Sequence, residues 1–177
     1  AALTGAALLL FISYAQDEAM IAKVLSKIEW LAIFFFAGLF ILVGALVETG
    51  VISMLAQEAM KLTNGSLNAT AMLILWMSAI ASAFIDNIPF VATLIPLIQD
   101  MGRMGMTNLA PLWWALSLGA CLGGNGTLIG ASANVVVASM AAQRGQQISF
   151  IRFMMIAFPL MLLSIVISSV YIWLRYL

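Results

Sequence analysis

Two short stretches carry polar groups inside otherwise apolar surroundings: Ser82-Ala83-Phe84-Ile85-Asp86-Asn87-Ile88-Pro89-Phe90, and the run from Gly123 to Asn134, GGNGTLIGASAN. Asp86 is the only charged residue between Asn68 and Gln99. A carboxylate at the centre of a bilayer costs about 2.5–3.5 kcal/mol on insertion scales, so Asp86 is expected to face a cavity, ligate a cation or hold a proton. The competing reading makes it a surface residue that caps a turn, since Asp-Asn-x-Pro is ordinary turn chemistry; the long apolar flanks favour the first. In the second stretch, Gly123, Gly124, Gly126 and Gly130 permit backbone angles closed to other residues, while Asn125, Thr127, Ser132 and Asn134 add donors and acceptors. Freed carbonyls and half-helix C-termini can ligate a cation, and half-helix N-termini attract an anion. A contact between helices would also use small residues, but four glycines and four polar residues in twelve positions exceed what packing alone needs.

The elements that hold these stretches follow from composition. The chain is 64% hydrophobic and 8% charged, with mean hydropathy +1.13, against about 25% charged residues in soluble domains. The bilayer is therefore the expected solvent, and unwound backbone at that depth requires surrounding protein or a wet cavity. The 7 basic and 7 acidic residues cancel, so no basic stripe points to nucleic acid. Cys121 is the single cysteine and histidine is absent, which excludes an internal disulfide and Cys/His metal or catalytic sets. Serines without a recognisable base and the lack of a paired acidic motif argue against an enzyme.

Residues 1–62 read as scaffold helices with interfacial segments. Ala1–Ala15 resembles the end of a crossing, shorter than the roughly 20 residues a span needs; with no initiating methionine, the chain is expected to be a piece of a longer protein. Gln16–Glu29 has amphipathic spacing suited to an interface, and Trp30–Val47 is the cleanest spanning helix. Val51–Leu62, with Glu58 and Lys61 one turn apart, reads as a second interfacial helix, ended by the turn Thr63-Asn64-Gly65-Ser66. Residues 63–105 then form either a re-entrant hairpin turning near Asp86-Asn87 or a kinked through-helix. Pro89 and Pro96, and the roughly 50 Å a continuous helix would need, favour the hairpin. Residues 106–149 pair two short apolar runs, Leu109–Leu122 and VVVASMAAQ, around the glycine-rich stretch as a discontinuous transmembrane helix. Residues 150–177 form a C-terminal span closed by Tyr171, Trp173 and Tyr176. The predicted fold is an all-α polytopic membrane protein. In this layout Lys23, Lys27, Arg144 and Arg152 share one face, which the positive-inside rule assigns to the cytoplasm, and Lys61, Arg103 and Arg175 share the other.

The stretches SAFIDNIPFVATLIPLI and GACLGGNGTLIGASANVV, with EWLAIFFFAGLFILVGALVETG and FPLMLL, closely resemble the P protein (pink-eyed dilution) family. That family is similar in turn to the arsenite-permease-like branch of the ion transporter superfamily. The resemblance implies an elevator-type carrier, a homodimer of chains built from two inverted repeats, each with a re-entrant hairpin and a broken helix. This chain matches the second, C-terminal repeat, so its companion N-terminal repeat and the lipid bilayer are the expected partners. By position, Asp86 and Asn87 become hairpin-tip residues, and Gly124, Asn125, Gly126, Thr127, Ser132 and Asn134 lie in or beside the broken-helix loop. The Ser-Asn-Thr tips of the dicarboxylate branch are absent, and an acidic tip suits Na+ or H+ coupling, with Asp86, Asn87 and Asn125 as a Na+ set. The expected activity is secondary active transport of an inorganic or small organic anion, or of Na+, coupled to a H+ or Na+ gradient, with a passive anion channel as the alternative. No further cofactor is implied, and the expected location is a prokaryotic inner (plasma) membrane.

Overall fold

A computed structural model describes residues 2–14 and 30–177. The described residues form helices joined by short turns, with no strand. The expected interfacial segment Gln16–Glu29 lies outside the described residues. In chain order the helices are α1 (Ala2–Tyr14), α2 (Trp30–Glu48), α3 (Val51–Leu62), α4 (Leu67–Ser82), α5 (Asn87–Arg103), α6 (Ala110–Gly123), α7 (Ser132–Gln143) and α8 (Phe150–Tyr176). The chain divides into two compact units, Ala1–Phe40 and Ile41–Leu177. Within the first, Leu8, Leu9, Phe11, Ile12, Phe34 and Phe35 are exposed, and the rings of Phe35 and Phe36 meet edge to face at 5.4 Å.

The second unit holds the core and both polar stretches. Gly50, at φ 76°, takes a left-handed conformation that favours glycine, and the axis bends by 66° between Ile33–Glu48 and Val51–Leu62. The expected turn at Asn64-Gly65 forms with both residues left-handed (φ 50° and 67°), closed by the Gly65 N–H donating to the Met60 carbonyl at 2.8 Å. On α3, Glu58 and Lys61 pair at 2.6 Å on the exposed side while Ile52 and Ala56 are buried. The chain does not run as one helix from residue 68 to 100: it breaks after Ser82 and restarts at Asn87.

Small residues set the central packing. A Cβ on Gly119 of α6 would stand 2.5 Å from the Leu75 carbonyl oxygen and 2.8 Å from Ser78 Cβ on α4, and one on Gly123 would overlap the Ala79 carbonyl. Helices α4 and α6 therefore run side by side in the same direction at a separation only glycine allows, as small-residue faces do in membranes. Helix α8 runs opposite to both. Trp76 Nε1 donates to Ser169 Oγ at 3.1 Å, Phe84 lies 6.5 Å from Phe158, and Trp114 stacks on Tyr176 at 5.7 Å. Helix α5 brings the chain back, its Gly102 packed on Leu109 ahead of α6. Its buried Asp100 accepts from Ser53 of α3 and from Arg103 at 2.8 Å. By itself α8 is long and apolar enough to cross a bilayer; α2 and α3 pass that test together as a bent pair.

Candidate functional site

Because α4 and α6 run in parallel, their ends lie at one level, and the two polar stretches meet there. Ser82, the last residue of α4, donates its hydroxyl to the Ala120 carbonyl of α6 at 2.6 Å and also bonds Asn87 Oδ1 across the hairpin turn. The fully buried Thr127 donates to the Ala83 carbonyl, and its oxygen accepts from the Gly130 N–H at 3.1 Å. Asn134, at the start of α7, sends its amide to the carbonyls of Gly124 and Thr127, both at 3.0 Å. Thr127 and Asn134 thus satisfy peptide groups that the interruption of the helix leaves without a ladder partner.

The four glycines of this stretch, Gly123 at the end of α6 and the other three in the loop, are needed for space, not for backbone angle, which corrects the expectation from sequence. Among the described residues the positive-φ glycines are Gly50, Gly65, Gly105 and Gly145; Gly123, Gly124, Gly126 and Gly130 are not among them. A Cβ on Gly124 would stand 2.8 Å from the Gly130 carbonyl oxygen and 3.2 Å from Asn87 Nδ2, one on Gly130 2.7 Å from the Gly124 oxygen, and one on Gly126 2.9 Å from Met161 Cε. The loop folds back on itself and against the hairpin turn so tightly that side chains there would collide with backbone.

The expected site residues separate into two groups. Asn87, Thr127 and Asn134 are engaged in holding the turn and the loop, with Gly124 and Gly126 buried beneath them. Asp86, Asn125 and Ser132 are exposed. Asp86 caps α5, its Oδ1 accepting from the Ile88 N–H at 3.1 Å, so the turn-capping role weighed from sequence is real and occupies one carboxylate oxygen. No group of three His, Cys, Asp or Glu residues is placed to hold a metal among the described residues. Ser82 and the carbonyls of Ala83 and Ala120 were not singled out from sequence. The available signal was the spacing of Ser78, Ala79, Ser82 and Ala83, which lines one face of α4 with small side chains, opposite Gly119 and Gly123.

A family model described as CitMHS, citrate transporter, matches residues 1–119. The chain belongs to this citrate transporter family. A Mycobacterium tuberculosis protein named as an uncharacterised transporter is 47% identical over 177 residues, which is 99% of this chain and 40% of that protein. The 46 kDa membrane protein of Mycobacterium leprae is 42% identical over 98% of this chain. The human P protein is 41% identical over 97% of this chain and 21% of its own length, in keeping with the resemblance drawn from the motifs. The chain thus spans about two fifths of the mycobacterial relatives and about a fifth of the mammalian one. No solved structure matches it. CitMHS is a family of transporters rather than of enzymes, and its members are integral membrane proteins. The family match takes in the hairpin turn with Asp86 and Asn87 and ends just before the glycine-rich loop, whereas the mycobacterial and human similarities extend over both.

Proposed function

We propose that the chain is one inverted repeat of an elevator-type secondary active transporter that moves a small inorganic or organic anion, or Na+, coupled to a H+ or Na+ gradient. The observation that carries this reading is the meeting of two helix interruptions, residues 83–86 and 124–131, at one level beside a spanning helix. The contacts of Phe84 with Phe158 and of Gly126 with Met161 set that level six to nine residues along α8 from Arg152. At 1.5 Å per residue this is about 9–14 Å inside the charged end of the span, close to the middle of a hydrocarbon layer about 30 Å thick. Polar backbone there requires a protein-lined or wet cavity, and paired interruptions at mid-depth are where carriers of this kind bind their cargo.

Within that site, Asn87, Thr127 and Asn134 keep the two interruptions open and in contact. Asp86 offers its second carboxylate oxygen to the coupling ion, and Asn125 and Ser132 offer unengaged side chains to ion or substrate. For the Na+ set of Asp86, Asn87 and Asn125, the oxygen ligands that fit best are those of Asp86 and Asn125, because the Asn87 side-chain amide is already in contact with the Ser82 hydroxyl. The name of the family makes citrate the first anion to assay. Helix α7, which buries no residue of its own and exposes Val135, Val136, Val137 and Met140, is the surface left for the companion repeat. The homodimer and the inner membrane of a bacterium complete the reading. The test is Asp86→Asn in the full-length transporter, reconstituted in proteoliposomes and assayed with citrate, arsenite and chloride under imposed Na+ and pH gradients. Gradient-driven uptake is expected to be lost while insertion and oligomeric state persist. Undiminished coupled uptake would remove Asp86 from the mechanism, and large single-channel currents would favour a passive pathway.

A further inference from the structure

A cavity of about 390 Å³ lies outside this site, lined by Gln146, Gln147, Ile148, Arg152, Phe153, Ile156, Ala157 and Leu160. Its lining changes character along its length. One end holds two amides and a guanidinium, and the other is a column of apolar side chains spaced three and four residues apart on one side of α8. That column continues beyond the cavity through the exposed Leu163, Ile167, Val170 and Leu174.

Arg152 is unbalanced. Among the described residues, Glu58 is paired with Lys61 and Asp100 with Arg103, while the guanidinium of Arg152 has no carboxylate, hydrogen-bond or ring partner. Its backbone N–H donates to the Ser149 hydroxyl at 3.3 Å. Its depth is set by the helix. Residues 153–174 carry no charge, and Arg152 and Arg175 at either end are about 35 Å apart at 1.5 Å per residue, just longer than the hydrocarbon layer. The polar end of the cavity therefore sits at headgroup level and the apolar column at acyl-chain level.

We infer that this cavity is a binding site for an anionic phospholipid, its phosphate held by Arg152 with Gln146 and Gln147, and one acyl chain laid along Phe153, Ile156 and Leu160. A planar guanidinium suits a phosphate geometrically as well as by charge, and basic pockets at the ends of spanning helices are where such headgroups bind. The amphiphilic lining selects a lipid over a free anion, which would leave the apolar half of the cavity unfilled.

The inference does not depend on the transport reading, and its test reads lipid retention rather than flux. The full-length protein, equilibrated with equal amounts of phosphatidylglycerol and phosphatidylcholine, is analysed by native mass spectrometry for retained lipid. The wild type is expected to retain phosphatidylglycerol in preference. Arg152→Gln should reduce that preference about fivefold, the effect of one cation at a membrane surface, and Arg152→Lys should largely keep it. Arg144→Gln, outside the cavity, should leave it unchanged, and Ala157→Trp, which fills the space beside the column, should lower retention of both lipids. Five results would each overturn the assignment. They are no preference in the wild type, as when another segment of the protein fills the cavity; equal losses in Arg144→Gln and Arg152→Gln; equal losses in Arg152→Lys and Arg152→Gln; undiminished retention in Ala157→Trp; or displacement of phosphatidylglycerol by inorganic phosphate.

Discussion

Thr127→Val removes one oxygen from the centre of the site and leaves the shape of the side chain almost intact. Thr127 is fully buried, and its hydroxyl serves two backbone groups that belong to different interruptions, the Ala83 carbonyl and the Gly130 N–H. Side-chain hydrogen bonds inside membrane proteins average about 0.6 kcal/mol and reach about 1.7, so losing two is expected to cost about 1–3 kcal/mol, or about five- to 150-fold in an unfolding equilibrium. Neither partner is open to water once the loop is packed, which places the value toward the upper part of that range. Reversible unfolding of the full-length protein in mixed micelles measures the cost, and proteoliposome uptake should fall with it, because the hairpin turn and the loop lose their shared anchor. Thr127→Ser keeps the oxygen and is expected to recover most of both. Wild-type stability in the valine variant, or equal damage from serine and valine, would refute the reasoning that this hydroxyl ties the two interruptions together.

Gly119→Ala and Gly123→Ala each push a methyl group into α4 backbone and should destabilise the protein by about 1–3 kcal/mol, whereas Gly38→Ala and Gly44→Ala meet open space and should be neutral or slightly stabilising; thermal unfolding of the four variants compares them. Asp100→Ala removes the acceptor that joins α3 to α5 and strands the Ser53 hydroxyl, with an expected loss of about 1–3 kcal/mol. Lys61→Ala breaks only an exposed ion pair and should cost under about 1 kcal/mol in the same unfolding measurement.

Local punctuation made much of the architecture legible in the sequence. Asn64-Gly65 marked a turn because both residues accept left-handed backbone. Asp86-Asn87 with Pro89 marked the restart of a helix, and the glycine-rich stretch marked the gap between α6 and α7. What stayed hidden depends on partners distant along the chain. Thr127 and Asn134 were visible as polar residues in an apolar stretch, but nothing local distinguishes a side chain that splints the loop from one left exposed, as Asn125 is. The loop glycines were read for conformational freedom when their use is proximity; both uses select the same residue, and only the position of Ala79, Ala83 and Asn87 across the gap separates them. Ser82 passed unnoticed because a serine at a helix end is commonplace until the Ala120 carbonyl is found 2.6 Å from it.

The pairing of α4 with α6 keeps one spacing throughout: Leu75 with Gly119, Ala79 with Gly123 and Ala83 with Thr127 are each separated by 44 residues. The two segments therefore act as matched rulers, and their tips coincide only because each counts the same number of residues from its first close approach to its last. An extra residue within 75–83 would turn every later side chain on that helix by about 100° and advance it about 1.5 Å, so that it would have to be answered by another within 119–127. The link at residues 104–109 lies outside both rulers, and a change of its length would alter the count between them without altering either one.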